Sequence, residues 1–108
     1  MTTYSNTSYA VKNVSTSGST AISSIASGTV AVSSLILSNT STAPITVNAY
    51  ITRSSVNYYL VYQATVPVGG SLEVIQGNRV VMIASDSLTV TSGTATSCDC
   101  WISALTAV

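Results

Sequence analysis

The chain reads as an all-β protein: an antiparallel β-sandwich, jelly-roll or Ig-like, with about seven strands and an extended N-terminal arm. Three observations carry that reading. Short runs rich in Val, Ile, Thr and Tyr recur every roughly 8–14 residues with turn residues between them, as in sandwiches and barrels. No capping residue precedes an apolar i, i+3, i+4 run, so nothing reads as a helix. The length, 108 residues, suits one domain around one thin core.

Residues 1–28 are rich in Ser, Thr, Asn and Gly with weak periodicity, which predicts an extended arm with one short strand at most. So few apolar side chains do not repay their ordering entropy, so residues 1–20 are expected to order only against a partner. Residues 29–108 form the sandwich domain. Val30 to Leu37 is its first strand, and Asn39 to Pro44 the turn after it. Ile45-Thr-Val-Asn-Ala-Tyr-Ile51 alternates cleanly, with Ile45, Val47, Ala49 and Ile51 on one face and Thr46, Asn48 and Tyr50 on the other. Arg53 to Asn57 is a loop, and Tyr58 to Val66 is a strand that is apolar on both faces. By plain alternation Tyr58, Leu60 and Tyr62 oppose Tyr59 and Val61. Pro67-Val-Gly-Gly-Ser71 is a turn, because Pro fixes φ and Gly admits positive φ. Leu72 to Ile75 and Val80 to Ile83 are two strands joined by a turn at Gln76–Arg79. An Ala84-Ser-Asp-Ser87 corner, a strand from Leu88 to Thr91, a loop from Ser92 to Ser97 and a last strand from Cys98 to Leu105 complete the chain.

Charge is what sets this sequence apart. Three Lys or Arg and three Asp or Glu make 6% of the chain, against about 25% in ordinary soluble domains. Hydrophobic residues reach 46%, and 20 Ser with 16 Thr supply most of the rest. A surface with a net charge of zero and almost no charges to intersperse is poorly protected against association. It is expected to be covered by copies of the same chain or by other proteins. Lys12, Arg53 and Arg79 lie too far apart in sequence to form a nucleic-acid footprint. No apolar run is long enough to cross a bilayer and no basic amphipathic stretch suggests a membrane surface. The N-terminus lacks the charged and apolar regions of a secretory signal, so synthesis in a cytoplasm is expected.

Catalysis is not expected either. The chain has no His, which removes Ser–His and Cys–His pairs and the commonest metal ligand. Of the three carboxylates, Glu73 falls on a strand, Asp99 lies between two cysteines, and Asp86 sits in a corner where it can cap backbone N–H groups. Gly69-Gly70 lacks a phosphate-loop pattern. Cys98-Asp-Cys100 has too few companions for zinc, so no metal or other cofactor is expected. Its thiols read either as small buried apolar residues or as cross-chain bridging groups. Alternation places Cys98, Cys100, Ile102 and Ala104 on one face and Trp101 and Leu105 on the other. With the small residues turned inward, Trp101 and Leu105 project outward as interface anchors. Tyr58, Tyr59 and Tyr62 join them as interface candidates, together with Tyr4 and Tyr9 on the arm.

The stretches Val32–Ser41, Tyr58-Tyr-Leu60, Val66–Ile75 and Asn78–Gly93 resemble a group of small β-sandwich virion proteins of tailed bacteriophages, over roughly residues 24–105. Two departures stand out. Ala84-Ser85 precedes Asp86 where a more acidic, Gly-containing corner is expected, and the cysteine pair is unusual. The resemblance implies an accessory structural role in the particle: capsid decoration or cement, neck or collar, or tail attachment. Partners would be further copies and other virion proteins, the location the virion, and there are no catalytic residues to transfer. The alternative is a carbohydrate-binding or adhesin-like module displaying Trp101 and the tyrosines. Ice binding fails, because Thr89-Val-Thr91 and Thr94-Ala-Thr96 do not recur regularly.

Overall fold

The computed structural model describes residues 4–107, apart from 24, 26 and 27. Eight strands are described: β1 (Tyr4–Val11), β2 (Ser19–Ile22), β3 (Thr29–Asn39), β4 (Ile45–Arg53), β5 (Val56–Val66), β6 (Ser71–Ile83), β7 (Ser87–Ser92) and β8 (Cys98–Ala107). They make two four-stranded sheets, ordered β1-β8-β3-β6 and β2-β7-β4-β5. The pairs β1–β8, β2–β7, β3–β6 and β4–β5 are antiparallel and nest one inside the next. A long ribbon rolled so that its pairs alternate between two sheets is a jelly roll, one of the two sandwich types expected.

Binary pattern explains most elements. In β4, Ile45, Val47, Ala49 and Ile51 are buried while Thr46, Asn48, Tyr50 and Thr52 are not. In β8, Cys98, Cys100, Ile102 and Ala104 turn inward, packing with Val32, Leu35 and Leu37 of β3, Val47 of β4 and Leu88 and Val90 of β7. Such alternation fixes which face is buried, because a slip of one residue would expose the whole set.

About seven strands are expected and eight stand among the described residues, for two reasons. The two strands expected at Leu72–Ile75 and Val80–Ile83 are one strand, β6. Its pairing with β3 passes from Val32↔Val80 to Ser34↔Gln76, so two steps along β3 match four along β6. The surplus is absorbed as an irregularity within the strand instead of a turn. The N-terminal stretch, in turn, supplies two strands where one short strand at most is expected. β1 is polar, yet its backbone pairs with β8 from Tyr4↔Ala107 to Val11↔Cys100. Between β1 and β2, Val14 is fully buried and its N–H donates to the Cys98 carbonyl at 2.7 Å.

Turn chemistry holds at the expected places. The Gly70 N–H donates to Pro67 O at 3.0 Å, with Gly69 at φ +68° where a Cβ would be strained. Asn39 closes the β3–β4 turn, its amide nitrogen donating to Ala43 O and Val66 O and its oxygen accepting from Ser41 N. At the corner before β7, the Asp86 N–H donates to Ile83 O, and Asp86 Oδ2 accepts the Ile83 N–H at 2.9 Å. Ser85 there takes φ +75°, a conformation that favours the glycine this corner lacks.

Candidate interaction surfaces

The few charges are mostly neutralised within the chain. Arg53 at the end of β4 grips Asp86 with both fork nitrogens, Nε to Oδ1 at 2.9 Å and Nη2 to Oδ2 at 2.6 Å. Asp86 is fully buried. The Arg53 hydrogen bond first, and the Ile83 N–H after it, hold its carboxyl below the usual range against the opposing effect of burial. Lys12 Nζ meets Asp99 Oδ2 at 2.9 Å, and the Asn13 N–H donates to the other oxygen, lowering the Asp99 pKa. Four of the six charged side chains thus form two internal pairs.

The outer face of the first sheet carries the Lys12–Asp99 pair, with Asp99 on β8, and exposed Glu73 and Arg79 on β6, with apolar side chains between them. Register fixes its rows. Ala10, Trp101, Ile36 and Glu73 lie side by side across β1, β8, β3 and β6. A hydroxyl row follows, with Ser8, Ser103 and Ser34. Beyond it Asn6, Leu105, Ala31 and Val81 form one row, and Tyr4, Ala107, Thr29 and Ile83 the next. Trp101 is 54% exposed, and Tyr4, Val81 and Ile83 are exposed as well. The face therefore has an apolar patch at each end of a serine strip. Three of the expected residues, Trp101, Leu105 and Tyr4, are brought together on it. Ile36, Val81 and Ile83 were missed, although Val80 to Ile83 is apolar at every position and so must show one apolar side outward.

Tyr9 is turned the other way. It pairs with Ile102 on the inner side of β1 and packs partly buried against the core.

The tyrosines of β5 lie on the second sheet, and their alternation is corrected. Pairing with β4 shifts register twice, between Val47/Ala49 and between Ala49/Tyr50. Two irregularities let Leu60 and Val61 both pack against the core and bring Tyr59 and Tyr62 onto the same outer side. Their ring centroids lie 5.1 Å apart, edge to face, and Tyr50 lies 5.0 Å from Tyr59. Gln63 takes φ +50° in this bulge, and its N–H donates to Asn48 Oδ1 at 2.7 Å. Asn48 Nδ2 in turn donates to Thr91 Oγ1. Tyr58 stands apart at the end of the sheet, exposed beside Ile51 and Arg53.

Cys98 and Cys100 are free and buried in β8. Burial first, with the neighbouring Asp99 carboxylate second, pushes Cys98 up to about 11, and burial first pushes Cys100 up to about 12. Thiols held protonated in a core are poor nucleophiles and poor metal ligands. Among the described residues no group of three His, Cys, Asp or Glu could hold a metal ion, and no helix is long and apolar enough to cross a membrane.

No family model matches the chain, and no curated protein matches it in sequence. Solved structures do match in fold. A chain of Bacillus endospore appendages, described as a novel family of disulfide-linked pili, is 14% identical with a TM-score of 0.57, over 98% of this chain and 88% of that one. A chain of the infectious bursal disease virus particle is 12% identical with a TM-score of 0.45, over 99% of this chain and 31% of that one. A chain from an archaeal virus with a triple jelly-roll fold and a turret assembly is 17% identical with a TM-score of 0.46, over 99% and 29%. At these identities the likeness is one of fold.

Proposed function

We propose that the chain is a structural subunit of an ordered protein assembly that works by self-association and by docking on other proteins. The assembly we favour is the virion of a tailed bacteriophage, in capsid decoration, the neck or collar, or tail attachment. One observation carries the proposal: the outer face of the first sheet presents the large apolar side chains of Trp101, Tyr4, Val81 and Ile83 to solvent. Exposed apolar patches rimmed by small polar residues mark association surfaces. Trp101, Leu105 and Tyr4 would be the anchors. Packing would hold the copies, since bridging through Cys98 or Cys100 requires the inner side of β8 to open.

Mass spectrometry and imaging of capsids separated from tails test the virion reading. The chain should be found in one fraction at a fixed stoichiometry, and its absence from both would overturn it. A second reading, a fibre subunit, draws on the fold shared with the appendage chain over nearly its whole length. Filaments formed by the purified protein, seen by negative-stain imaging, would favour the fibre; closed rings or discrete oligomers would favour the accessory virion role.

A further inference from the structure

The outer face of the second sheet differs in kind from that of the first. Its cross-strand rows are Thr20, Thr89, Tyr50 and Tyr59; Thr91 and Asn48; Thr52 and Asn57; and Thr46 and Thr65. None of these side chains is charged. Threonine is under-represented among interface hot spots, so these rows read poorly as a second assembly patch. Yet the chain builds an unusual feature here. Two irregularities in β5, a non-glycine residue at φ +50° and an Asn48 bridge from β7 to β5 together hold Tyr59 and Tyr62 beside Tyr50. Bulges re-aim side chains near functional sites, and backbone strain of this kind persists where the surroundings enforce it.

We infer that Tyr50, Tyr59 and Tyr62, with Asn48 and the flanking threonines, form a binding site for a neutral carbohydrate. Tyr59 and Tyr62 touch edge to face, centroids 5.1 Å apart and planes perpendicular, so they present an angled apolar corner to solvent. One ring can take the C–H face of a pyranose while the other meets its edge. The surrounding hydroxyls and amides both donate and accept hydrogen bonds, as sugar hydroxyls do. A charged glycan, peptide or nucleic acid would find no countercharge on this face. The inference is independent of the assembly role, which rests on the opposite sheet.

A glycan array carrying defined neutral and anionic oligosaccharides, with native-gel retardation in dextran, laminarin and galactomannan, tests it. The intact protein should bind neutral glycans only. Tyr59→Ala and Tyr62→Ala should each weaken binding by about tenfold, while Tyr59→Phe and Trp101→Ala should retain it. Circular dichroism checks that each variant is folded, and Tyr59→Phe keeps the test valid if an alanine variant is not. Binding confined to anionic glycans, no binding at all, or undiminished binding by the folded Tyr59→Ala and Tyr62→Ala variants would overturn the inference. So would a change of sedimentation in the tyrosine variants without glycan binding, which would make this face a contact between copies.

Discussion

Replacing Trp101 by Ala should dismantle the assembly and leave the fold standing. A Trp side chain offers up to about 250 Å² to solvent. The 54% left exposed amounts to roughly 135 Å², worth about 3 kcal/mol when removed from water at ~25 cal/mol/Å². Truncating the ring should therefore weaken association at each interface it anchors by roughly two orders of magnitude. The covered remainder limits the folding cost to about 3 kcal/mol. The true cost is nearer 1–2 kcal/mol, because an open face leaves no cavity and the unfolded chain shields part of the ring. β8 is moreover a central strand, paired with both β1 and β3, so its backbone does not depend on this side chain. Sedimentation velocity should show a folded monomer with an intact β spectrum and a melting point lowered by roughly 5–15 °C. Trp101 is the chain's one tryptophan, so its emission in the parent protein should shift to shorter wavelength as concentration drives assembly. A variant that assembles like the parent, or one that loses its β signal, would refute the reasoning.

Asp86→Ala should cost about 2–3 kcal/mol, since it removes two charge-assisted bonds and orphans the Ile83 N–H; the Arg53 side chain, 48% exposed, spares the full penalty of a buried unpaired charge. Because the folded pKa of Asp86 lies below its unfolded value of about 3.9, its contribution is complete above that pH and is lost as pH falls through the folded pKa. Acid titrations followed by circular dichroism should show the parent losing stability below about pH 4 and Asp86→Ala responding less there. Cys98, raised to about 11, is about one part in a thousand thiolate at pH 8, so an aromatic disulfide reagent should label neither cysteine in the native protein and both in denaturant; rapid native labelling would place a thiol outside the core. Deleting residues 1–20 should lower thermal stability, since it removes β1 and the buried Val14, and an unchanged melting point would show that this stretch contributes only to docking.

How much of this was legible depends on whether a residue's fate is local. The period-2 pattern of Ile45 to Ile51 and of Cys98 to Leu105 determined which side chains face the core, so Trp101 could be placed outside from sequence. Pro67 and Gly69 determined a turn by their own dihedral limits, and the absence of His removed Ser–His and Cys–His pairs. The tertiary structure alone decided the rest. β1 is a strand because β8, at the far end of the chain, offers it a row of backbone partners, and nothing in Tyr4–Val11 encodes that. Gln76–Arg79 continues a strand because β3 runs past it and supplies pairing on both sides. Tyr59 and Tyr62, three apart and opposed by plain alternation, meet because β4 forces β5 through two irregularities. Side-chain period and turn preference are properties of neighbouring residues. Strand pairing is a property of residues brought together from opposite ends of the roll, and it is pairing that decides which side chains share a surface.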